Sequence, residues 1–227
     1  MLREPTSPDL SLALALLDKR IRELEGKIAD LSASIERMKS EQDSISDKVD
    51  RLVRRVLEGT VILAGAVVAS MLLGPVGPLS RIYRTITLIA LGGAVILWGI
   101  LRIGTARLEG RKAELDEEIA KRVLQLEDLE AEARLMGEIK SALGIAQGGN
   151  LLRAYRELSE TVMKLESSSE ALEAILIGLR ALAEGAPRDY AVKLAAGLEK
   201  RAWEQPQDSW ERAAILSLAD ALSKVSE

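Results

Sequence analysis

The 227 residues carry 31 basic and 35 acidic side chains, a net charge of −4, and include no Cys, no His and no Phe. Without Cys there are no disulfides, thiolate catalysis or Cys-based metal centres, and without His the commonest general base and metal ligand is missing. The remaining composition, rich in Ala, Leu, Arg, Glu and Ile with 3% aromatic residues, suits helices rather than a β-sandwich.

No segment is basic enough to point to nucleic acid. Asn occurs once, at Asn150, among many charged residues, a balance that fits a thermophile.

Residues 1–9 read as a disordered tail. The short apolar run that follows leads into a repeat rather than a cleavage site, so it is not a signal peptide. Ser7, Pro8 and Asp9 have the character of a helix start: a hydroxyl cap, a first-turn Pro and an acid near the positive dipole end. From 10 to 57 the apolar residues keep heptad spacing. Leu14, Ile21, Ile28, Ile35, Gln42, Val49 and Val56 hold one core position, and Leu17, Leu24, Leu31, Met38, Ile45 and Leu52 hold the other. A repeat of this length predicts a coiled coil, and these residues are the expected oligomerisation seam of at least a dimer. Gln42, the one polar member, either sets the register or sits in a hydrated layer. Arg20 and Glu25 are placed to pair between chains.

Charges stop at Glu58. Residues 58–80 are long and apolar enough for a first transmembrane helix. The heptad count continues through Gly59, Leu63 and Ala66, so the seam changes from large to small residues, as close helix approach in lipid favours. Ala66, Ser70 and Gly74 are the expected membrane-packing residues. Residues 81–84 form a tight external turn, and 85–102 a second, shorter span. Tyr83, Arg84, Trp98 and Arg102 are expected interface anchors. Basic residues crowd the outer ends of both spans (Lys48, Arg51, Arg54, Arg55, Arg102, Arg107, Arg111, Lys112), which places both termini in the cytoplasm.

Beyond the second span, residues 103–143 continue as a weaker coiled-coil helix. Leu108, Leu115, Leu129, Met136 and Leu143 keep the spacing, with Arg122 interrupting. GIAQGGN, 144–150, reads as a flexible linker. Residues 151–227 form a C-terminal four-helix domain, with Ser168, Asp189 and Asp208 as candidate caps. Its expected apolar faces are Leu151, Tyr155, Leu158, Val162 and Leu165, then Leu172, Ile175, Leu179 and Leu182, then Tyr190, Leu194 and Leu198, then Ile215, Leu218, Leu222 and Val225. Trp203 and Trp210 flank a QPQD turn, and either pack in the core or form a docking surface. The fold class is therefore all-α: a membrane-spanning helical hairpin continuous with long cytoplasmic coiled-coil helices, plus a small helical bundle.

There is no phosphate loop, nucleophile–base pair, metal-ligand spacing or dinucleotide fingerprint, so neither an enzyme nor a cofactor is expected. The carboxylates Asp116, Glu117, Glu118, Glu127, Asp128 and Glu130 read as solvated helix faces. The expected function is structural: a self-associating scaffold in contact with membrane lipid, presenting 151–227 to a cytoplasmic protein partner. The order coil, span, turn, span, coil over 14–145 resembles the topology of the mitochondrial calcium uniporter pore subunits, which start their second span with an acidic filter motif. Here that place reads SRIYRTIT, with Arg81 and Arg84 and no acid. The resemblance implies an alternative: an oligomeric ion channel or pore, anion-selective or non-selective.

Overall fold

A computed structural model describes residues 7–73, 80–165 and 169–225, except for the side chains of 70, 71, 73 and 80–84. The described residues form an all-helical fold of six helices: α1 (Ser11–Leu73), α2 (Ser80–Gln147), α3 (Leu151–Met163), α4 (Glu170–Glu184), α5 (Arg188–Glu204) and α6 (Trp210–Val225). They fall into two compact units, one of Met1–Asp30 with Leu126–Glu227 and one of Leu31–Gln125. Each long helix contributes to both.

Asp9, rather than Ser7, caps α1: its Oδ1 accepts the Ser11 backbone N–H at 3.2 Å. Hydrogen bonds from Ser11 hold that carboxyl below the ordinary Asp range. Residues 81–84, expected as the turn, are already helical. The breakers Gly74, Pro75, Gly77 and Pro78 all precede them and lie outside the described residues. Within the expected linker, residues 144–147 stay helical because Ala142, Leu143 and Ala146 are fully buried around them. The chain turns only at Gly149, whose φ of 85° favours glycine, with Asn150 N–H closing back on the Ile145 carbonyl. Asn150 then caps α3 by accepting from Arg153 N–H.

In the first unit, α3–α6 share one core with the start of α1 and the end of α2. Leu10, just before α1, and Ala13 and Leu17 of α1 lie in it beside Ile139, Ala142 and Leu143 of α2, Leu158 of α3, Ile175 and Leu179 of α4, Leu198 of α5 and Ile215 and Leu218 of α6. A core boundary at residue 151 would leave those α1 and α2 side chains without cover. Thr161 is the one buried polar residue among those described. Its hydroxyl lies 3.1 Å from Glu138 Oε2 and 3.0 Å from the Glu157 carbonyl, which ties α3 to α2.

The caps of α4 and α6 are Ser169 and Ser209, each one residue after the expected Ser168 and Asp208. Asp189 lies in the first turn of α5, and Pro187 stands at its cap position without a side-chain bond. Tyr190, expected on the inner face of α5, is exposed. That face consists of Ala191, Ala195, Leu198 and Ala202, a run at helical spacing whose small side chains let α5 approach closely.

Gly178 marks the tightest packing. A Cβ there would meet Leu218 at 3.2 Å and Leu198 at 3.3 Å, so α4 has no room for a side chain against α6 and α5. Gly178→Leu is expected to destabilise this unit by about 3 kcal/mol or more, since overpacking alone costs about 1–3 kcal/mol and the larger chain must displace two buried leucines. Thermal unfolding followed by circular dichroism measures it; an unchanged Tm would contradict this packing.

Candidate functional site

The second unit holds the feature that needs explaining. Here α1 and α2 lie side by side and antiparallel. Arg122 donates to Ser34 Oγ, Gln42 donates to Asp116 Oδ1 at 2.6 Å, and Arg111 reaches Glu41 at 3.6 Å. Further along, Leu52 packs against Gly104, Gly59 against Leu97, and Leu63 against Gly93. From Ser34 to Leu63 and from Arg122 back to Gly93 the two helices advance by the same number of residues, so the register does not slip. The exposed polar pairs contribute little, about 0–1 kcal/mol each. Leucine–glycine contacts mark the level instead, most tightly at Gly59, where a Cβ would meet Leu97 at 3.2 Å, whereas at Gly104 and Gly93 it would make ordinary contact with Leu52 and Leu63.

Ile35, Met38, Ile45, Val56, Ala90 and Leu115 are the buried apolar residues among those described in this unit. Five are heptad residues named from the sequence, and Ala90 extends the α2 stripe. The remaining seam members Ile28, Leu31, Gln42, Val49 and Leu52 are half-buried, as are Leu14 and Ile21, while Leu17 and Leu24 are fully buried within the first unit. In the second unit, then, the stripe expected to join two chains faces α2 of the same chain. An apolar stripe requires cover but does not specify which helix provides it. Arg20 likewise pairs within the chain, with Glu132 at 2.8 Å, and Glu25 is exposed.

The opposite faces have no cover. Val61, Ile62 and Leu72 of α1 and Leu88, Ile89, Val95, Ile96, Trp98 and Ile103 of α2 are each more than 60% exposed. Among the described residues, one helix is long and apolar enough to cross a membrane. It lies within Thr85–Gln147, and its most apolar stretch has a mean hydropathy of 2.1 with 6% of it buried. The core helix of a soluble protein has the reverse burial. The first apolar run extends into residues outside those described. Of the expected packing residues, Ala66 is half-buried, while the Ser70 side chain and Gly74 are outside the described set. Of the expected anchors, the side chains of Tyr83 and Arg84 are also outside it. Trp98 is 62% exposed, with the exposed Arg102 guanidinium 6.0 Å from its ring centroid.

Among the described residues, four of the six carboxylates in the acidic run of α2 have a partner within the chain. Glu117 pairs with Lys121, Glu118 with Arg122, Glu130 with Arg134, and Asp116 accepts from Gln42. The hydrogen bond from Lys121 and its charge hold the Glu117 carboxyl below the ordinary Glu range. The two tryptophans divide: Trp210 is buried in the first unit, and Trp203 is 69% exposed with Arg212 stacked 4.3 Å over its ring.

Gly93 and Gly104 are contact residues that the heptad reading does not single out. The usable signal is their spacing from Leu97, four and seven residues, which puts all three on one helix face. No protein-family model, curated protein or solved structure matches this chain.

Proposed function

We propose that this chain is a non-enzymatic integral membrane protein, anchored by 58–80 and 85–102 with both termini cytoplasmic, that serves as a scaffold. Its C-terminal helices, 151–227, are the surface offered to a cytoplasmic protein partner. The observation that carries the reading is the apolar band, a stretch of mean hydropathy 2.1 left 6% buried by its own fold. Leaving that area in water costs roughly 25 cal/mol per Å², whereas acyl chains cover it without a protein partner. The basic residues on the outer ends of both apolar runs support the orientation.

Self-association remains part of the proposal, through faces other than the one α2 covers. With six buried apolar side chains among the described residues of Leu31–Gln125, each helix pair has surface left for a second copy. Because the chain has no cysteine, a single one at Ser7 or at Glu199 reports topology cleanly. Neither position should react with an impermeant maleimide until the membrane is opened, and the protein in detergent should have a mass that is a multiple of 24.6 kDa. Labelling of intact cells would overturn the orientation, and a single-chain mass would overturn the scaffold assembly.

A further inference from the structure

We propose that the base of the apolar band is a collar that binds anionic phospholipid headgroups. The proposal rests on the membrane reading above and adds a ligand class to it. The helix register creates the collar. With Leu52 seated on Gly104 and Gly59 against Leu97, Arg51, Arg54 and Arg55 of α1 stand level with Arg102 and Arg107 of α2. All five are exposed.

These arginines are poorly matched by acids. Among the described residues, Arg54 alone of the five is in ion-pair range of a carboxylate, Glu58 at 3.3 Å, and both partners are largely in solvent. Arg51 Nε donates to the Asp47 backbone carbonyl of its own helix. Arg51 and Arg55 sit four residues apart on one helix face, an arrangement of like charges that destabilises a helix unless an anion lies between them. The planar guanidinium fork suits phosphate oxygens held in two places at once.

The occupant is a lipid rather than free phosphate because the collar adjoins uncovered apolar side chains. Leu57 is 59% exposed and Ile103 74%, so acyl chains would lie against the residues next to the arginines that hold the headgroup. A basic residue at an anionic membrane surface is worth about a fivefold preference. Trp98, exposed beside Arg102, reports the local lipid.

The test reconstitutes the full chain in mixed vesicles of phosphatidylcholine and phosphatidylglycerol, with brominated acyl chains on one lipid or the other, and reads Trp98 quenching. Trp98→Phe supplies the baseline from Trp203 and Trp210. The native chain should favour phosphatidylglycerol by at least about fivefold at low salt, and the preference should shrink at high ionic strength. The triple variant Arg51→Gln, Arg55→Gln, Arg107→Gln should approach equal quenching while keeping its helical circular dichroism. Equal quenching in the native chain, or an undiminished preference in the variant, would overturn the collar. Absence of quenching by either lipid would overturn the membrane reading itself.

Discussion

Val68→Asp, Leu91→Asp and Val95→Asp, combined in one chain, should abolish membrane integration. Each replaced side chain is more than half exposed, so none of the three supports the fold from within. A carboxylate near the middle of a span costs about 2.5–3.5 kcal/mol. Three of them together oppose insertion by about 8–10 kcal/mol, enough to turn a strongly favoured inserted state into a minor one. The sign of the effect is diagnostic. In a protein folded entirely in water, the same exposed Leu or Val to Asp changes would shift stability by no more than about 0.5 kcal/mol and would improve solubility. The readout is the share of protein left in the membrane pellet after alkaline carbonate extraction. The native chain should remain there and the triple variant should be released. Equal retention would mean that the exposed band does not face lipid.

Leu10→Ala with Leu17→Ala should unfold the C-terminal helices, although neither residue belongs to them. Both leucines are fully buried in the core that contains Leu158, Ile175 and Leu218. A buried Leu→Ala change costs about 2–5 kcal/mol, so the pair removes about 4–10 kcal/mol. That is comparable with the whole stability of an ordinary domain, about 5–15 kcal/mol. Leu12, one residue from this stripe and 62% exposed, is the control: Leu12→Ala should change stability by less than about 0.5 kcal/mol. Fluorescence of buried Trp210 during urea unfolding follows the loss. A double variant with an unchanged midpoint would show that residues 151–227 stand without α1.

Much of the helical architecture is legible in the residues alone. The heptads of α1 mark Ile35, Met38, Ile45 and Val56, all buried, because a side chain every three or four residues returns to the same face of a helix whatever covers it. The same rule picks out Leu158, Ile175, Leu179, Leu198 and Leu218 in the shorter helices. It misplaces Tyr190, since on α5 the inner face is built from alanines, which periodicity arguments weight lightly. The caps of α4 and α6 are read to within one residue, Ser169 and Ser209 accepting the N–H bonds expected of Ser168 and Asp208, while those of α1 and α5 fall two residues from Ser7 and Asp189. The Trp203–Trp210 pair is undecidable from sequence, because both flank a turn where no period operates.

What the amino-acid order settles here is which side of each helix must leave water, where charge stops, and which chemistries the missing Cys and His remove. What only the folded chain decides is who provides the cover. The α1 stripe closes on α2, where Leu52 and Leu63 meet Gly104 and Gly93 at matched levels and Leu97 packs most tightly on Gly59. Leu10 and Leu17 close on helices far along the chain because those helices offer an apolar pocket. An apolar stripe lowers its free energy against any complementary surface, so its pattern records the need for a neighbour, and shape complementarity between distant residues selects which one.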